Sequence, residues 1–178
     1  VYDAAGRAVV AVNSVGARVT TVYDAVGRTV ALVDPLGKRT TTVYDAAGRS
    51  IREVDPLGKI TTTLYAPDAK ALATINPLGN RTTTVYDGAG RTAAVVDANG
   101  FRKTSVYDAL GRSVAAIDGK GRRTTTTFDA LGRTALLTDA NGNATSYLYD
   151  AAGRQTRKTN PLGQAVAMGY DAAGRQTT

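Results

Sequence analysis

A lysine or arginine stands at Arg7, Arg28, Arg49, Lys70, Arg91, Arg112, Arg133, Arg154 and Arg175, one every 21 residues. An aromatic ring stands five residues before each, and in every case but Lys70 an aspartate stands four residues before. Such a set suits three chemistries. A basic column interleaved with rings binds polyanions, the cations neutralising acid groups and the rings stacking. Carboxylates serve as general acids or bases. In the third, the opposite charges satisfy each other and the chemistry ends there.

The third is the expectation here. Each aspartate lies close in sequence to one cation, so the charges cancel locally. The chain has no His and no Cys, so the commonest base and the thiol nucleophile are missing. Asp, Arg, Thr and Tyr also recur in every unit, whereas an active site is a single constellation. The chain therefore reads as no enzyme, with no cofactor and no metal ligands. "DANGN" (139–143) has the opening of a calcium loop with Asp150 in twelfth place, but it also fits the turn found at every equivalent position, which is the preferred reading.

What positions these residues is a repeat. The aromatic ladder is Tyr2, Tyr23, Tyr44, Tyr65, Tyr86, Tyr107, Phe128, Tyr149 and Tyr170, each step 21 residues. A second motif, "NSVG", "DPLG", "NPLG", "DANG" or "DGKG", falls between the rings with the same period. Both motifs have the form Asp/Asn-x-x-Gly. Asp or Asn caps backbone amides along a turn, Pro suits its second position, and Gly in fourth place supplies φ > 0 for a three-residue hairpin loop closed by a bulge. The predicted turn glycines are Gly6, Gly16, Gly27, Gly37, Gly48, Gly58, Gly79, Gly90, Gly100, Gly111, Gly121, Gly132, Gly142, Gly153, Gly163 and Gly174. Such a loop brings Asp24 beside Arg28.

Between turns lie segments such as "RTVALV" (28–33) and "RTTTVY" (39–44), rich in Thr, Val and Tyr, which fit strands. The fold class read from this is all-β: tandem 21-residue β-hairpins forming a continuous, coiled antiparallel sheet, as a spiral, tube or fibre wall. A solenoid would stack the like-charged column about 4.8 Å apart, whereas a meander doubles that spacing. The meander is favoured. A sheet of so many strands coils or packs on another layer.

The odd period of 21 would place successive rings on opposite faces, because side chains alternate with period two. A bulge beside each Tyr, with Tyr as the extra residue, is predicted to keep the rings on one face. Stacked rings with Arg nearby give cross-strand packing and cation–π contact. Val12, Val33, Val54, Ile75, Val96 and Ile117 form an apolar column, lost at Thr138 and Thr159.

Residues 1–178 read as a single array of about eight and a half repeats of 21 residues, a slice of a longer chain. The net charge of +7 permits contact with nucleic acid, anionic lipid or acidic glycan without requiring it. No apolar run is long enough for a membrane-spanning helix. "NRT" and "NAT" make Asn80 and Asn143 candidate glycan acceptors, and Thr41, Thr62, Thr83 and Thr125 in the threonine runs are candidates for O-linked sugar.

"YDAAGR", "YDAVGR" and "YDALGR", paired with "DPLG" downstream, resemble the YD repeats of the RHS family of bacterial toxins and of teneurin-type surface proteins. "YAPDAK" (65–70) and "FDALGR" (128–133) depart most from that pattern. The resemblance implies hairpins in one long spiralling sheet, closed in toxins into a hollow shell, and a bacterial, extracellular or cell-surface setting. Identical units make identical steps, which build a regular helix that need not close. The reading is a structural protein whose partners are its own continuation or further copies, with glycans also considered and nucleic acid not expected. A regular fibre or tube comes first, the wall of a toxin-enclosing shell second, and a glycan- or polyanion-binding adhesin third.

Overall fold

The computed structural model of the chain describes residues 1–177. Among these there are sixteen β-strands and no helix. The chain divides into two compact units, Val1–Thr84 and Val85–Thr178.

In the first unit the strands are β1 (Val10–Val12), β2 (Arg18–Tyr23), β3 (Thr29–Val33), β4 (Arg39–Tyr44), β5 (Ser50–Val54), β6 (Ile60–Tyr65) and β7 (Ala71–Ile75), with β8 (Arg81–Tyr86) carrying the boundary. Each pairs antiparallel with the next. The second unit holds β9 (Thr92–Val96), β10 (Arg102–Tyr107), β11 (Ser113–Ile117), β12 (Arg123–Phe128), β13 (Thr134–Thr138), β14 (Ala144–Tyr149), β15 (Gln155–Thr159) and β16 (Ala165–Ala167). They too pair in chain order. Equivalent residues are thus two strands apart within each unit, as a meander requires. Within each unit the YD turns lie along one edge and the intervening turns along the other.

The register shows how the odd period is absorbed. Val22 faces Ala31 while Tyr23 faces Thr29, so Val30 has no partner. The next turn is crossed without a shift: Ala31 faces Thr41 and Leu32 faces Thr40. Thr21 shares a face with Tyr23, Thr21 pairs with Leu32, Leu32 with Thr40, and Thr40 shares a face with Tyr44. One parity change per repeat therefore returns every ring to the same face. The shift falls beside the ring as expected, but the extra residue is not Tyr. It is Val30, Ile51, Leu72, Val114, Ala135 or Thr156 on the facing strand. The tight loop fixes Tyr opposite the residue immediately after Arg or Lys, and the slack is taken up one step further on.

The opposite face carries the valine and isoleucine column, half-buried from Val33 onward. Between its members lie the buried side chains of this single layer: Ala31, Ala73, Ala94 and Ala115, each 1–3% exposed. No large side chain is fully buried among the described residues. Stability therefore rests on hydrogen-bonded ladders and contacts between neighbouring repeats, not on a central core.

Candidate functional site

The YD edge is built from one unit of chemistry repeated. In the second of its turns, the Asp24 carbonyl accepts from the Gly27 amide at 3.0 Å and the Asp24 amide donates to the Arg28 carbonyl at 2.9 Å. This closes a three-residue loop, and Gly27 takes φ +88°, a conformation that costs a residue with a side chain. The sixteen predicted turn glycines all have φ between +75° and +88°. Asp24 Oδ1 accepts from the amides of Val26 and Arg28, and Oδ2 accepts from Arg28 Nε at 2.7 Å. The carboxylate is fully spent within its own turn.

The guanidinium is not. Arg28 lies 4.8 Å from the Tyr44 ring centre, and its NH1 donates to the Asp45 carbonyl at 3.3 Å. Tyr44 in return donates its hydroxyl to the Thr29 carbonyl at 2.8 Å. Arg28 and Tyr44 therefore join two consecutive repeats by a stacked cation and two hydrogen bonds to backbone. Three such stacks occur in the first unit and four in the second, at 4.4–4.8 Å. Tyr23, Tyr65, Tyr107, Tyr149 and Tyr170 make the same hydroxyl bond as Tyr44. Tyr2, at the first repeat, pairs with Ala8.

The amide of Arg28 first, with its guanidinium, holds the Asp24 carboxyl below the ordinary value of 3.8 against desolvation pushing the other way. At Asp45 the amide of Arg49 again comes first in holding the carboxyl below that value, and its guanidinium comes second, ahead of the opposing desolvation. At Asp108 and Asp129 desolvation is the largest single influence and raises the value, but the amide and guanidinium of Arg112 or Arg133 together outweigh it. These are the signatures of turn caps locked in the charged form. A general base needs a proton affinity nearer the working pH.

The turn at 66–70 keeps the loop without the usual residues. Ala66 replaces the capping Asp, and Ala69 replaces Gly at φ +67°. The compensation is Asp68, whose carboxylate bonds Lys70 Nζ at 2.7 Å.

The second row of turns has the same backbone. Asp34 caps the amides of Leu36 and Lys38, yet among the described residues only Asp118–Arg122 forms an ion pair there. Nine pairs balance the YD edge. Most of the net charge of +7 therefore flanks the second row of turns: Arg18, Lys38 with Arg39, Lys59, Arg81, Arg102 with Lys103, and Lys120 with Arg122 and Arg123, ten cations against five aspartates. The periodic column flagged from sequence as basic is thus locally neutral, while the less regular cations form the positive edge.

Asp139 spends its carboxylate on the amides of Asn141 and Asn143 and on the Asn143 side chain, and Asp150 lies at the far end of β14 bonded to Arg154. The two halves of the calcium-loop pattern are thus separated by a strand. No metal-holding cluster occurs among the described residues. Asn80 and Asn143 lie exposed at turns, and Thr41, Thr62, Thr83 and Thr125 lie half-buried on strands. No helix among the described residues is long and apolar enough to cross a membrane.

Comparison with solved structures finds the same fold. The crystal structure of TcdB2-TccC3-TEV matches with a TM-score of 0.69 at 16% identity over 99% of this chain and 11% of that one. That of TcdB2-TccC3 without its hypervariable C-terminal region gives 0.68 at 16%, over 99% and 11%. The Photorhabdus luminescens Tc holotoxin pore, with a mutated TccC3, gives 0.65 at 14%, over 90% and 10%. The chain thus spans about a tenth of the length of these solved chains. Comparison with curated proteins gives no match. The RHS Repeat family model matches residues 23–62 and, in overlapping copies, 86–123, 107–144, 128–165 and 149–178. Matched over the greater part of its length by that model, the chain belongs to the RHS repeat family.

Proposed function

We propose that this chain is a structural wall segment of a bacterial extracellular or cell-surface assembly, extended by addition of like repeats. The observation that carries this reading is the constancy of the inter-repeat grip: in seven pairs a cation and a ring sixteen residues apart lie 4.4–4.8 Å from each other. Equal steps generate regular growth, which favours a fibre or tube. Leu36, Leu57 and Leu78 stand 75–85% exposed at consecutive turns, an apolar row suited to lateral contact with further wall.

Likeness to the TcdB2-TccC3 structures favours a second reading, the wall of a closed shell. Electron microscopy of the purified chain distinguishes the two. Filaments or tubes with an axial repeat near two strand spacings, about 9.6 Å, support the first. Discrete hollow particles support the second, and dispersed monomers at all concentrations overturn both.

A further inference from the structure

In the second unit two residues break the repeat together. Phe101 stands where the other second-row turns carry Ala17, Lys38, Lys59, Asn80, Arg122, Asn143 or Gln164. Gly119 stands where they carry Ser14, Pro35, Pro56, Pro77, Ala98, Ala140 or Pro161. These departures lie against each other on neighbouring turns. A Cβ built at Gly119 would fall 2.6 Å from Phe101 Cβ and 3.2 Å from the ring. Gly119 has no positive φ, so its missing side chain serves space, not backbone conformation.

The ring, 50% exposed, lines a hollow of about 240 Å³. Lys103, Lys120 and Arg122 line it too, with the carboxylates of Asp97 and Asp118. Lys103 and Lys120 form no ion pair among the described residues, whereas Arg122 is held by Asp118. Asp97 Oδ1 is bonded to the amides of Asn99 and Phe101.

We propose that this hollow binds an acidic saccharide, a sugar ring carrying carboxylate or sulfate. An exposed aromatic face offers an apolar platform for a sugar ring. Lys103 and Lys120 supply unspent positive charge for the acid group, and of the two carboxylates Asp97, bonded in its turn through Oδ1, accepts a hydrogen bond from a hydroxyl through Oδ2. The same carboxylates disfavour nucleic acid, whose closely spaced phosphates they repel while its backbone offers few donors in return.

The test is titration of the 178-residue chain with a heparin hexasaccharide, an oligogalacturonate, a neutral dextran oligosaccharide and an oligothymidylate. The expected result is saturable binding of a sulfated or carboxylated oligosaccharide and none of dextran. Gly119→Ala displaces the ring without removing any charge, and Phe101→Asn removes it. Each is expected to weaken binding by roughly tenfold or more. Lys120→Asn is expected to weaken it as well, and Lys38→Asn with Lys59→Asn to leave it unchanged. All of these substitutions place residues found at the same point of other turns, so the fold, checked by circular dichroism, tolerates them. Absence of binding at millimolar saccharide overturns the proposal. So does binding indifferent to both Gly119→Ala and Phe101→Asn, or tighter binding of the oligothymidylate. None of these outcomes touches the structural role, which microscopy tests separately.

Discussion

Arg28 and Tyr44 lie sixteen residues apart in sequence and 4.8 Å apart between guanidinium and ring centre, and the Tyr44 hydroxyl returns to the carbonyl of Thr29, next to Arg28. The pair is a two-way fastening between consecutive repeats, and it separates into parts that mutation can weigh. Tyr44→Phe removes only the hydroxyl bond, about 0.5–1.5 kcal/mol. Tyr44→Leu removes the stack as well, a further 0.5–1 kcal/mol or so. Urea denaturation of the two variants should rank them in that order; equal losses would show that the stack contributes nothing.

Phe128 keeps the stack, at 4.4 Å from Arg112, but has no hydroxyl. Its repeat equivalent of Thr29 is Ser113. Phe128→Tyr is expected to gain a bond to the Ser113 carbonyl and about 0.5–1.5 kcal/mol, seen as a higher denaturation midpoint at unchanged slope.

Ala69 holds φ +67°, a left-handed conformation that penalises any Cβ. Ala69→Gly relieves that strain, partly offset by the greater freedom of Gly in the unfolded chain, for a net gain of roughly 0.5–1 kcal/mol. Thermal unfolding checks this. The same substitution at Ala73, buried on a strand, is expected to destabilise.

Acid should loosen the array. The caps Asp24, Asp45 and Asp87 have folded-state values below the ordinary 3.8, held there first by the amide four residues on. A carboxyl depressed on folding stabilises fully above its unfolded value, and that stability is lost as pH falls through the folded one. Denaturation midpoints should be flat from neutral pH to about 5 and fall steeply below about 4. A decline centred near pH 6 would point to other groups.

Val30 has no partner across the sheet and absorbs the odd residue of the period. Deleting it leaves Tyr23 opposite Thr29 and Val22 opposite Ala31, so the β2–β3 hairpin becomes regular while Tyr44 keeps its face. Deleting the paired Thr42 instead turns the Tyr44 ring to the other face, out of reach of Arg28. Faster amide hydrogen exchange from β3 through β5 is expected for the second deletion and not for the first; equal loss of protection in both would overturn this account of the bulge.

Much of this was legible from the residues. The Asp24-to-Gly27 spacing announces a three-residue loop, the odd period announces a parity correction, and the nearness of Asp24 to Arg28 announces their pairing. Three things were not. A bulged residue is defined by what its partner strand does, so Val30 looks like any strand residue, while the conspicuous Tyr drew the expectation to itself. Arginine near tyrosine suggests stacking, but that Arg28 takes the ring of the next repeat follows only from which turns lie alongside. The Phe101–Gly119 departures are visible in the sequence as isolated oddities, eighteen residues apart. They become one feature only once their two turns are known to be neighbours.

The fastening that joins Arg28 to Tyr44 reaches one repeat along and stops. A gene encoding such a chain can gain or lose whole units by unequal crossing-over, and every remaining joint still finds its mate. Array length is then a trait that selection can tune without disturbing any interior, whereas loss of one residue from a paired stretch of strand is penalised at once.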